Sequence, residues 1–298
     1  MYRMILVPLD GSKFAESALP LALSLSRHTS ADLHLSTVQE PVPSFAYDEW
    51  ENAATEWSQQ YLAGVSERLT PLAGGNVTVA LLSGHVVDTL EQEAEAHKVD
   101  LVVMATHGRG LLSRAWLGSV TDSFLHHTNR PVLIVRPQEG EVVDVGADPT
   151  FDKILVPLDG TELSECMLEH AVKFGRLFDA AYHLVRVVPY PIDIASPYLP
   201  HTVQLNQGLV DDAKVAAMEY LDAQAESLRQ QGLTVDTAVL VDAQPGHGIL
   251  KEVETAGCDL IAMSTHGRKG LSRAILGSAA DKVLRGTHAP VLLYRPGD

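Results

Sequence analysis

Short runs of uninterrupted apolar residues alternate along this chain with longer stretches in which apolar positions recur every three or four. MILVPL (4–9), ADLHLSTV (31–38), NVTVALL (76–82), DLVVMAT (100–106) and PVLIVR (131–136) read as five strands. Between them lie helical patterns. One starts at Ser12, a candidate cap, and runs to about His28, with Pro20 inside it. That proline must kink the helix or delay its start. In WENAATEWSQQYLAGVSERL (50–69) Trp50, Ala53, Ala54, Trp57, Tyr61, Val65 and Leu69 share a helical stripe. Its aromatic residues read as helix packing or an interface rather than a base-stacking platform. VVDTLEQEAEAH (86–97) and SVTDSFLHHT (119–128) complete the series. The alternation predicts a parallel sheet covered by helices on both faces, with right-handed crossovers. Strands as apolar as ILVPL and PVLIV fit burial on both faces.

The pattern occurs twice. ILVPLDG stands at 5–11 and again at 154–160, and residues 99–119 match 258–278 at fourteen of twenty-one positions. The first offset is 149 residues and the second 159, so ten extra residues lie between. The Pro-rich stretch PYPIDIASPYLPHT (189–202), longer than its counterpart EPVPSFAYDEW (40–50), is their natural place. The expected organisation is a first domain over 1–137, a linker over 138–150 rich in Pro, Gly and acid, and a second domain over 151–298. The second half has no proline in its first helix, which should be straighter. Each domain is expected to be α/β, a doubly wound, Rossmann-like, five-stranded parallel sheet of strand order 3-2-1-4-5.

That order puts strands 1 and 4 side by side, with connections leaving in opposite directions, and a ligand crevice opens beyond their C-terminal ends. Asp10 and the Met104–Thr106 strand end meet there in one half, Asp159 and Met263–Thr265 in the other. The loop that follows, MATHGRGLLSRAWLGS (104–119), returns as MSTHGRKGLSRAILGS (263–278). Gly108 and Gly118 let backbone N–H groups approach an anion closely. Ser119 begins a helix, whose free N–H donors and positive dipole end favour phosphate. Ser119 with Asp122, and Ser278 with Asp281, spell S-x-x-D and suggest a side-chain cap. Arg109 or Arg268 could add a charge-assisted contact. In a single copy, strand termination and capping are the favoured explanation of these residues. Convergence with Asp10 at the crevice favours a ligand.

Charge and composition narrow the partners. Hydrophobic residues make up 46% and charged residues 20%, as in an ordinary globular protein, and no stretch approaches a bilayer span. MYRMILVPLDGS turns polar too soon for a secretory signal, which points to the cytoplasm. The net charge of −16 opposes nucleic acid and anionic membranes. The two cysteines, Cys166 and Cys258, have no metal or disulfide spacing, and each reads as a buried small hydrophobe. His107 and His266 lack partners at metal spacing. His126 and His127 fall on a helix, partly exposed. His34 and His183, at matching strand positions, read as satisfied core histidines rather than ligands. No metal site is expected. A Walker motif, a full dinucleotide fingerprint and a nucleophile elbow are all missing.

In these residues the chain resembles the universal stress protein family, as a tandem two-domain member. The resemblance rests on ILVPLDG opening each half, on VDLVVMATHGR and CDLIAMSTHGRKG, on the LGS helix start, and on PVLIVRP and PVLLYRP. The family's nucleotide-binding members carry G-x2-G-x9-G-[ST]. Here Ala105 and Ser264 take the first position, while Gly108, Gly118 and Ser119, and Gly267, Gly277 and Ser278, match the rest. The resemblance implies ATP as ligand, with or without Mg held through its phosphates. Asp10 and Asp159 would contact ribose, the backbone of Val38 and Val187 adenine, and the glycine loops the phosphates. The implied contacts are Pro8, Leu9, Asp10, Val38, Met104, Ala105, Thr106, Gly108, Arg109, Gly118, Ser119 and Val120. In the second half they are Pro157, Leu158, Asp159, Val187, Met263, Ser264, Thr265, Gly267, Arg268, Gly277, Ser278 and Ala279. It further implies pairing through the last strands, PVLIV and PVLLY, giving a self-contained pseudo-dimer or a homodimer. The expected function is an ATP-binding stress-response module with little or no catalysis, at most slow hydrolysis. The alternative is a nucleotide-free interaction protein of the same fold.

Overall fold

A computed structural model describes residues 1–41, 48–106, 117–137, 143–189, 202–265 and 277–296; the side chains of residues 48–49 and 202–207 fall outside that description. The described chain forms two compact units. The first takes in Met1–Thr150 with the C-terminal stretch from Pro290, and the second lies between Phe151 and Ala289.

The first unit begins with β1 (Met4–Pro8), α1 (Lys13–Glu16), α2 (Leu19–Thr29), β2 (Asp32–Gln39) and α3 (Asp48–Leu69). It continues with β3 (Val77–Ser83), α4 (Val86–Ala96), β4 (Leu101–Ala105), α5 (Ser119–His127) and β5 (Val132–Val135). The strand order is β3-β2-β1-β4-β5, as expected, and every neighbouring pair is parallel. β1 and β4 are buried almost throughout, which is why their sequences are apolar without alternation.

In the second unit, β6 (Lys153–Pro157), α6 (Glu162–Gly175), β7 (Ala181–Val188), α7 (Thr202–Arg229) and β8 (Val235–Val241) come first. α8 (Pro245–Ala256), β9 (Leu260–Ser264) and α9 (Ser278–Gly286) follow. Its strands run β8-β7-β6-β9, all parallel, in the order of their first-unit equivalents. The last strand, β10 (Val291–Tyr294), pairs antiparallel with β5, Leu292 opposite Leu133. The edge of β5 is thereby covered, and an open edge invites association.

Pro20 acts at a helix start. α1 ends at Glu16, and Pro20 occupies the first turn of α2, where its missing N–H costs nothing. In the second unit α6 is continuous, capped by Thr161, whose hydroxyl accepts from the Ser164 amide. Of the expected home of the ten extra residues, 189–202, residues 190–201 lie outside the described residues. Near the expected linker, Asp148 holds the Arg27 guanidinium and the buried Ser24 hydroxyl, each at 2.7 Å. Cys258 is buried, and burial pushes its thiol pKa up to about 11. Cys166, in contrast, is exposed on α6, so the expectation of a buried residue fails there.

Candidate functional site

The turn after each first strand explains part of the repeated ILVPLDG. Gly11 and Gly160 have φ of 81° and 87°, a region that only glycine enters without strain. The aspartate before each glycine braces the turn. Asp10 Oδ1 accepts from the Ser12 amide at 2.9 Å, and Asp159 Oδ1 from the Thr161 amide at 3.0 Å. Asp10 is half-buried, whereas Asp159 is exposed.

Beyond the C-terminal ends of β1, β2 and β4 a cavity of about 870 Å³ opens in the first unit. Its size suits a small organic ligand. Pro8, Leu9 and Asp10 contribute from the end of β1, and Val38 from the end of β2. Met104 and Ala105 contribute from β4, and Gly118, Ser119 and Val120 from the start of α5. These residues, widely separated in sequence, are brought to one hollow. Thr106 sits just outside the lining, buried, its carbonyl accepting the Gly118 amide at 2.6 Å. Gly108 and Arg109 lie outside the described residues, as do His107 and Gly110.

One expectation, made for both α5 and α9, changes. Ser119 does not cap the helix. The cap position is Gly118, and among the described residues no side-chain cap bond is made there; the same holds for Gly277 ahead of Ser278 in α9. The S-x-x-D spacing fits a cap, but the backbone starts its helical turn at the serine itself. Ser119 and Val120, the first residues of α5, line the cavity. The Thr121 hydroxyl anchors the helix to β4 by donating to the Ala105 carbonyl at 3.0 Å.

Sequence reasoning also missed part of the wall. Trp50 and Trp57 of α3 line the cavity, 76% and 48% exposed, so they are more than helix packing. Trp57 stacks on Tyr61, ring centroids 5.6 Å apart and nearly coplanar. Gln39, at the end of β2, donates to the Ser58 hydroxyl and accepts from Thr55, which ties α3 over the opening. The signal is the i, i+7 spacing of the two tryptophans, which marks one helix face and fits packing or an interface equally.

In the second unit Pro157 ends β6, Leu158 and Asp159 follow it, and Val187 stands near the end of β7. Met263 and Ser264 end β9, Thr265 comes next, and Gly277, Ser278 and Ala279 start α9. Gly267 and Arg268 lie outside the described residues, with His266. One difference is local. Where the first unit has Thr37, its hydroxyl donating to the Leu9 carbonyl, the second has Arg186. The Arg186 guanidinium crowds the turn at Gly160 and lies 5.0 Å from the centre of the Tyr220 ring.

His34 and His183 are buried and bonded. His34 Nδ1 lies 2.8 Å from the Thr78 hydroxyl and Nε2 2.7 Å from Glu93, and His183 Nε2 lies 2.8 Å from Glu252. Burial holds His34 below the usual histidine pKa, against the opposing pull of Glu93.

Comparison with known proteins gives a consistent picture. The profile of the universal stress protein family matches residues 1–136 and again 150–295. A universal stress protein of Methanocaldococcus jannaschii is 30% identical over 146 residues, 49% of this chain and 82% of that protein. Another, from Mycolicibacterium smegmatis, is 26% identical across 98% of this chain and 97% of its own. Among solved structures, a universal stress protein from Archaeoglobus fulgidus superposes with a TM-score of 0.74 at 20% identity, covering 99% of this chain and 98% of that one, a likeness of fold.

Proposed function

The chain belongs to the universal stress protein family, and on that premise we propose that its first half, residues 1–137, binds an adenine nucleotide in the cavity beside α5. The observation that carries this is the meeting of the uncapped α5 N-terminus with the ends of β1 and β2 around one hollow of about 870 Å³. The free amides of Ser119 and Val120 face it with the positive end of the helix dipole, a setting suited to phosphate. Asp10 stands where ribose hydroxyls need an acceptor. Val38 offers backbone at the position of the base, and Trp57 an aromatic face beside it.

The role is that of a cytoplasmic stress-response or regulatory module rather than a catalyst. Among the described residues lining the cavity there is no Lys, Arg or His to neutralise a transferring phosphoryl group or move its proton. With a net charge of −16, polyphosphate must be held mainly by backbone amides, with Mg entering on the phosphates. The second half, residues 151–298, carries the corresponding positions, but Arg186 crowds its turn.

Thermal unfolding with and without ATP-Mg tests this. At 100 times Kd one site adds about 2.7 kcal/mol. Tryptophan fluorescence provides a second readout, because Trp50 and Trp57 flank the cavity. No shift at millimolar nucleotide and no retention in equilibrium dialysis would refute the proposal. A second reading, a nucleotide-free interaction protein, draws on Gly118, whose amide is already spent on Thr106. Gly118→Leu distinguishes the two. Its φ of −56° accepts a side chain, so the variant should fold and lose nucleotide while keeping any surface-mediated role.

A further inference from the structure

At the other end of β2 from Val38, roughly 13 Å along the strand, three potential metal ligands converge. His34 Nε2 and Glu93 Oε1 are 2.7 Å apart, and His97 Nε2 is 3.3 Å from the same oxygen. The ligand atoms all lie within 4.8 Å of one another. The two imidazoles stack, centroids 4.2 Å apart and planes 22° off parallel, and present both Nε2 atoms to one carboxylate. Glu93 and His97 are four residues apart at the C-terminal end of α4 and share a face of the helix.

The Thr78 hydroxyl lies 2.8 Å from His34 Nδ1 and 3.3 Å from the Leu33 carbonyl, and His34 Nε2 lies 2.7 Å from Glu93 Oε1, a hydrogen-bond distance that a proton on Nε2 satisfies. A metal ion would take that proton's place on Nε2, with the Thr78 hydroxyl then accepting from Nδ1–H. Fixing the distal ring nitrogen by an outer hydrogen bond is how metal-binding histidines are held.

We propose that His34, Glu93 and His97 form a binding site for a divalent transition metal of the zinc type. Two imidazoles and one carboxylate are a donor set suited to Zn²⁺, with a fourth position open to water. His34 is 3% exposed and Glu93 16%, while His97 is 42% exposed and gives the ion its approach from solvent. Ligands on one tetrahedral zinc sit about 3.4 Å apart, so loading needs the His34–Glu93 contact to open by less than about 1 Å. This revises the reading of His34 as a core residue and is independent of the nucleotide proposal. The second unit retains His183 and Glu252 but has Ala256 where His97 stands. There His183 Nδ1 lies 3.0 Å from Asp236, which is also paired with Lys153. That unit lacks the third donor.

The test uses the full chain, stripped with a chelator and titrated with Co²⁺, whose visible d–d bands report a low-coordinate nitrogen–oxygen site, then with Zn²⁺ in competition. One equivalent should bind with such a spectrum and be displaced by zinc. His97→Ala, on an exposed helix end, and Glu93→Gln should weaken binding by more than the 10- to 100-fold that loss of an outer partner costs. Melting of the metal-free His97→Ala protein should be unchanged. Thr78→Val, which removes a positioning residue, should weaken binding by about 10- to 100-fold with an altered spectrum, and Thr78→Ser should restore both. The proposal is overturned if the wild-type chain binds no stoichiometric Co²⁺, or if binding persists unaltered in His97→Ala and Glu93→Gln.

Discussion

The amide of Gly118 donates to the carbonyl of Thr106 at 2.6 Å, so the two ends of the segment joining β4 to α5 are fastened together. That bond occupies one amide at the start of α5, so in the proposed nucleotide site the phosphate contacts would fall to Ser119 and Val120.

Ser119→Pro should therefore separate fold from ligand binding. Proline is welcome at the first helical position, and the Gly118 ψ of 142° is what a following proline requires. The replacement deletes one amide while keeping the helix. Relative to Ser119→Ala, which retains that amide, it should lower nucleotide affinity by about tenfold or more, the worth of a hydrogen bond to a charged group. Isothermal titration of both variants measures it. Equal affinities would show that this amide does not bind the ligand.

Thr121→Val should cost about 1–2 kcal/mol in urea unfolding. The hydroxyl is buried and holds the Ala105 carbonyl, so a valine of similar shape leaves an acceptor unpaired. A loss below about 0.3 kcal/mol would mean that water replaces the hydroxyl at the end of β4.

Gly175→Ala should destabilise the second unit by about 1–3 kcal/mol through overpacking. A Cβ there would stand 2.3 Å from the Tyr182 hydroxyl and 2.9 Å from Ile154 Cδ1, both in the core between α6 and the sheet. Tyr182→Phe, added to Gly175→Ala, should recover part of the loss. Unfolding curves that stay superimposable would refute the close approach.

His170 should give a measurable pH dependence. Burial lowers its pKa, so the unfolded chain takes up this proton more readily than the folded one. Its contribution to stability is full above the unfolded value of about 6.5 and falls as pH drops below it, levelling off beneath the folded pKa. Denaturant midpoints of wild type and His170→Gln, compared between about pH 7.5 and 5, should diverge, with the wild type losing more. Parallel profiles would contradict this.

The architecture could be read from the chain because its strands are buried on both faces and written in unbroken apolar runs. Duplication gave a second view of each strand, while the order at the crevice rested on the common doubly wound arrangement rather than on particular residues. Smaller features were less legible. Pro20 allowed two outcomes, and only the packing of α1 and α2 decides between them. Ser119 fitted a cap by spacing, yet the cap is a backbone event one residue earlier. Trp50 and Trp57 read as helix packing or an interface because periodicity reports a face, not what covers it. Glu93 lies 59 residues from His34 in sequence, so their meeting follows from the crossover of α4 above β2. The E-x-x-x-H spacing of Glu93 and His97 was visible, but its partner on the strand was not.

α4 spans both ends of this arrangement. Val86 and Leu90 roof the cavity, while Glu93 and His97 lie further along the helix, roughly 16 Å from the first residue of α4 to His97. One continuous helix thus borders both places. A cation pinning its far tip would restrain the roof, and cargo lodged under the roof would steady the tip. Any such cooperation must be mutual, each occupant altering the other's affinity by the same factor.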